Sequence, residues 1–258
     1  LFTIIFLTAA GGLFLFYFKR KKNVFPPQTI LEDLIPIEVL EREIHFYSRL
    51  SEIDKKQFRD DLFDFLNRVR IVGVGTEVSA KDRLFVASSA VIPVFHFPQW
   101  QYYELDEVLL FESAINLNFQ TRQTDSQIIG LVGTGKLERK MILTREALED
   151  GFSNKTDRFN VGIHEFIHLI DKEDGQIDGL PKVLMDKQYA IPWLRHIRSK
   201  ILEIHYNQSD IDAYGATNLS EFLAVSGEYF FERPDLFKIK HPELYHMMDQ
   251  MFRGRQTG

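Results

Sequence analysis

DRFNVGIHEFIHLID, residues 157–171, decides how this chain is read. Val161, Ile163, Phe166, Ile167, Leu169 and Ile170 recur at the spacing of a largely buried helix, and Asn160 stands where an N-cap belongs. Within the helix His164, Glu165 and His168 spell HExxH. Residues four apart share a helix face, so two imidazoles at that spacing can grip one metal ion from one side. Glu165 lies next to the first of them, within reach of a metal-bound water as general base. The bland alternative is a solvated polar face, and the apolar flanks argue against it. Asp171, three residues after His168, is placed either to accept a hydrogen bond from a ligand imidazole or to form the turn that ends the helix.

A catalytic metal site of this kind needs a third protein ligand. The HExxHxxGxxH extension is absent, because Asp171 stands at the Gly position and Asp174 at the third His position. The other solution is a carboxylate on a later helix. Residues 218–233, NLSEFLAVSGEYFFER, form such a helix, started by Asn218 or Ser220 and stopped by Pro234. Glu221 and Glu228 lie seven apart in it, on one face, among Phe222, Leu223, Val225, Tyr229 and Phe230. A carboxylate in so apolar a setting needs a partner. Spacing alone leaves both glutamates open as the ligand.

Away from these two helices the pattern changes. Short apolar runs at 71–74, 91–97, 108–111, 128–132 and 141–143 are bounded by Gly, Pro or charge, as strands are. Residues 84–90 read as a helix. Residues 37–70 read as two helices parted near Ser51, a candidate N-cap of the second, and from residue 145 onward helices dominate. Helices, a small sheet and more helices make an α+β domain. Its glycine-bearing turns, at Gly73 and Gly75 and from Gly130 to Gly135, lack the spacing of nucleotide-binding loops.

The N-terminal end differs from the rest. Residues 1–18, LFTIIFLTAAGGLFLFYF, hold no charge, and Lys19, Arg20, Lys21 and Lys22 follow them. Eighteen helical residues span roughly 27 Å, close to the hydrocarbon layer. A cleaved signal carries its cations before the apolar run, so the expectation is a single-pass membrane anchor at 1–22 with the remainder on the cytoplasmic side. Residues 23–36, with three prolines, read as a linker, and 37–258 as the folded domain. The whole 258-residue chain carries a net charge of −6 and no cysteine. The acidic balance speaks against nucleic acid as a partner. Without thiolates, any metal here is held by His and carboxylate, a set that suits catalysis better than a structural site.

HEFIHLID, DAYGATN, SEFLAVSGEYFFERP and PELY, in that order, resemble the MtfA (Mlc titration factor A) family of gluzincin-type zinc metallopeptidases. KMILTREALEDG is similar to the strand and turn that precede the metal helix in that family. The resemblance implies a zincin-like core, a small mixed sheet with the HExxH helix and a Glu-bearing helix, and Zn2+ as cofactor. It implies His164, His168 and Glu221 as metal ligands, Glu165 as general base, and Tyr214 as an active-site phenol able to hydrogen-bond the developing oxyanion. Glu228 then becomes a supporting residue. Gly215 stands where the family usually has Ala. The expected activity is hydrolysis of peptide or protein substrates. The alternative is a non-catalytic, metal-stabilised regulator that binds a partner protein.

Overall fold

The computed structural model describes residues 37–115, 130–132, 137–154 and 157–254. The expected anchor at 1–22 and linker at 23–36 lie outside the described residues. Among the described residues no helix is long and apolar enough to cross a membrane.

Four strands form one mixed sheet: β1 (Arg70–Gly73), β2 (Glu107–Phe111), β3 (Gly130–Val132) and β4 (Lys140–Thr144), in the order β1-β2-β4-β3. β1, β2 and β4 run parallel, with Ile71 opposite Val108 and Val108 opposite Met141. β3 is antiparallel to β4 and forms an edge, with Leu131 opposite Ile142. β2, EVLLF, is buried at every position. That is what covering both faces requires, and it explains a continuous apolar run where a one-sided strand would alternate. Val108, Leu110, Met141 and Leu143 enter the main core, while Leu109, Phe111 and Ile142 join Ile115 in a smaller cluster on the other face.

Among the described residues the helices are α1 (Ile37–Glu43), α2 (His45–Ser48), α3 (Glu52–Arg68), α4 (Ala80–Val91), α5 (Arg145–Ser153), α6 (Val161–Lys172), α7 (Lys187–His205), α8 (Leu219–Glu232), α9 (Pro234–Lys240) and α10 (Pro242–Arg253). Ser51 caps α3 by accepting from the Asp54 N–H at 3.2 Å. Ser79 and Asp82 form a capping box on α4. The α+β architecture read from the sequence is the architecture observed.

Two local expectations are corrected. Residues 91–97 are not a strand: α4 runs to Val91 and passes into a 3-10 turn, Ile92–Val94. Pro93 has no N–H to give a ladder, and a short buried apolar run does not by itself tell strand from helix. After β4 the helix α5 begins at once, in line with the helical reading from residue 145 and in place of the turn that the resemblance implies; Thr144 caps it by accepting from the Ala147 N–H at 3.4 Å.

The HExxH helix, α6, lies in the middle of the core. Phe166 is fully buried, edge-on to Phe65 at 5.6 Å between centroids and 5.1 Å from the Tyr102 ring. Burying such a ring contributes about 2–3 kcal/mol. Glycines bring α6 close to its neighbours. A Cβ at Gly227 of α8 would sit 2.2 Å from Ile167 Cδ1, and one at Gly162 would sit 2.1 Å from Ser89 Oγ of α4. The helix therefore has little freedom to shift along either neighbour.

Candidate metal centre

Asn160 starts α6 by accepting the Ile163 N–H at 3.1 Å. One turn apart on the emerging face, His164 and His168 bring their Nε2 atoms to 3.0 Å from each other. Asn218 starts α8 in the same manner, accepting the Glu221 N–H at 2.9 Å. That cap puts Glu221 in the first turn, with Oε2 3.1 Å from His164 Nε2 and 3.4 Å from His168 Nε2. One ligand atom from each of the three residues lies within 4.8 Å of the others. Among the described residues this is the group of His, Asp and Glu side chains placed to hold a metal ion.

The outer nitrogens are occupied. His164 Nδ1 lies 2.7 Å from Glu228 Oε1, and the buried Glu228 accepts the Asn160 N–H on its other oxygen at 2.6 Å. His168 Nδ1 lies 3.0 Å from Ser220 Oγ. A carboxylate can only accept, so His164 carries its proton on Nδ1 and turns the Nε2 lone pair inward. Donation from His168 Nδ1 to Ser220 does the same for the second ring. Two imidazole lone pairs and a carboxylate then converge with no donor between them. Such a donor set fits a divalent cation. With no ion present, the surrounding carboxylates favour a proton on His164 in the metal's place, which a bound cation would displace. Burial opposes ionisation of His164, yet Glu221 and Glu228 push its pKa up to about 10. Burial likewise opposes ionisation of Glu221, but the two imidazoles hold it at about 2.

Glu165 is buried beside the cluster rather than in it, and its side chain lies against Gly130 of the edge strand. Burial pushes its pKa up, the two imidazoles oppose this, and Glu221 and Glu228 add to the rise. Tyr214 sits at the exposed rim, on a 3-10 turn, Ala213–Ala216, whose start is held by Asp212 accepting the Tyr214 N–H at 2.8 Å. Its ring is 6.1 Å from that of His164. Partial burial, the charges of Glu221 and Glu165 and a hydrogen bond to Glu221 push the phenol pKa up, so it keeps its proton to donate.

Asp171 stands elsewhere than on an imidazole. It is fully buried, accepts the Gly179 N–H at 2.9 Å, and meets the Ser220 hydroxyl. Ser220 occupies the place beside His168 that the sequence reading offered to Asp171. In the sequence Ser220 stood out only as a possible start of the helix, next to Glu221. Asp210 was also missed. Its carboxylate receives His241 Nε2 at 2.7 Å and the Tyr229 hydroxyl at 3.0 Å, and pairs with Arg158 at 3.2 Å. This knot pins the loop that leads to Tyr214. A cavity of about 350 Å³ opens there, lined by Phe159, Tyr214, Val225 and Tyr229 with Arg158.

A His pair on one helix, a carboxylate from the first turn of a later helix and a buried glutamate alongside make this a metallopeptidase by class. The chain belongs to the glucose-regulated metallo-peptidase M90 family, whose model matches residues 19–253. It is 27% identical over 254 residues to an uncharacterized protein of Synechocystis sp., covering 90% of this chain and 87% of that one. It is 26% identical over 202 residues to Mlc titration factor A of Salmonella arizonae, covering 73% and 79% of the two chains. The Mlc titration factor A of Klebsiella pneumoniae subsp. pneumoniae is 24% identical over 234 residues, covering 82% and 85%.

Proposed function

We propose that this chain is a zinc-dependent peptidase that cleaves peptide bonds by water attack, held by residues 1–22 at the cytoplasmic face of a membrane, with 23–36 as linker and 37–258 as catalytic domain. The observation that carries the chemistry is the convergence of His164 Nε2, His168 Nε2 and Glu221 Oε2, with Glu165 buried next to them. Two histidines and one glutamate, with a position left open, are the set that catalytic zinc uses. When bound by these three residues, zinc supplies a Lewis acid that polarises the scissile carbonyl and acidifies water.

The remaining steps belong to side chains of the protein. Glu165, its pKa raised by burial, takes a proton from the attacking water and returns it to the leaving amine. Tyr214 donates its phenolic hydrogen to the developing oxyanion from the rim. Glu228 and Ser220 hold the two imidazoles in the required tautomer. The edge strand β3 offers its outer backbone to an extended substrate, and Gly130 brings that strand against Glu165. The anchoring rests on the uncharged run at 1–18 and the cations at 19–22.

Glu165→Gln tests the mechanism. The expected variant keeps one metal ion per chain and loses turnover of a fluorogenic peptide panel by about 10²–10⁴-fold. Full turnover in that variant sinks the proposal. A metal-loaded native protein that cleaves nothing in the panel would favour the regulatory reading.

A further inference from the structure

The outer face of α7 has a composition at odds with the rest of the molecule. At 3.6 residues per turn, Lys187, Ile191, Arg195, Arg198 and Leu202 fall on one stripe, opposite the buried Trp193, Ile197 and Ile204. The chain as a whole carries −6, yet this stripe holds no acidic residue. Lys187, Arg195 and Arg198 are exposed and have no carboxylate partner among the described residues. The carboxylates near this helix lie off the stripe: Asp186 stands at its N-cap, Glu203 pairs with Lys200 at 2.8 Å, and Glu243 faces His196 at 3.7 Å. Large apolar side chains stand out between the cations: Ile191 is 69% exposed, Leu202 56%, and Tyr206, at the end of the stripe, 71%.

We propose that this face of α7 docks on an anionic phospholipid surface. Cations interleaved with exposed apolar and aromatic groups along about 28 Å of helix are what an interfacial helix presents to charged headgroups and the acyl chains beneath them. The alternation matters, since cations alone would suit any polyanion and apolar groups alone any hydrophobic patch. The inference goes beyond the anchor at 1–22 and does not need it, because an anchor fixes the chain to a bilayer without choosing which face meets it. α7 also packs on the 3-10 turn that carries Tyr214, so docking would hold the rim of the metal centre close to the lipid.

The absence of cysteine allows a direct test. Leu202→Cys in the full chain takes one environment-sensitive fluorophore, and the labelled protein is reconstituted with vesicles of phosphatidylcholine alone or with added phosphatidylglycerol. The expected result is a blue shift with the anionic vesicles only, reversed by high salt. Adding Arg195→Glu and Arg198→Glu should weaken the lipid dependence by at least about 30-fold. No shift on anionic vesicles overturns the proposal, as does an equal shift on neutral ones or a shift that survives charge reversal. Failure of the chain to stay with neutral vesicles would instead count against the anchor at 1–22, and the fluorophore response to anionic vesicles would still decide the role of α7.

Discussion

His164, Glu165 and His168 were legible because their relation is local: four residues on a helix fix which side chains meet. Glu221 and Glu228 were not separable by the same logic, since both occupy one face of α8. Folding distinguishes them by depth. Glu221, in the first turn, meets the inward nitrogens, while Glu228, two turns on, meets His164 from behind at Nδ1. The roles of Ser220 beside His168 and of Asp210 could not be read, because a hydroxyl or carboxylate acquires such a role only through partners 52 and 31 residues distant. The supporting role of Glu228 can be measured. Glu228→Gln keeps the shape but turns an amide toward either His164 Nδ1–H or the Asn160 N–H, so one donor faces another. Metal affinity, read by competition with a chromophoric chelator, should fall about 10–100-fold while the far-ultraviolet circular dichroism stays the same. Unchanged affinity would make Glu228 a packing residue only.

Elements were read well where periodicity and caps agreed, as at α3, α6 and α8. They were misread at 91–97, where a proline and a buried apolar run mimic a strand. The placing of elements against one another was illegible, since nothing in the sequence says which glycine faces which helix. Gly130 is the informative case. A Cβ there would lie 2.6 Å from Glu165 Oε1 and 2.7 Å from Val161 Cγ2. Gly130→Ala should therefore displace Glu165 or the strand, lowering kcat by ten- to a hundredfold with metal content unchanged. Native kcat in this variant would show that the strand yields freely. Gly227→Ala acts on the scaffold instead, because its Cβ would meet Ile167 Cδ1 at 2.2 Å. A cost of about 1–3 kcal/mol, seen as a lower Tm, is expected.

Across the whole molecule, the two helices that make the site also make the core, so pH and metal act on stability as well as on chemistry. Glu232, at the end of α8, has its pKa pushed up to about 8 by burial; the Asn160 amide opposes this, and Asp157 and Glu228 add to it. An acid whose folded pKa exceeds its ordinary 4.5 supports the fold most below that value and loses its contribution as pH rises toward 8. The Tm should accordingly decline between about pH 4.5 and pH 8, and Glu232→Gln should flatten that decline. An identical slope in the variant would assign the effect to another group. His164 and Glu221 stand 57 residues apart in the chain. A ribosome adding roughly 5–20 residues per second needs about 3–11 s to cover that distance. For that interval a growing chain owns the histidine pair without its acidic partner, so the metal centre of this metallopeptidase closes only once α8 has followed α6 out of the ribosome.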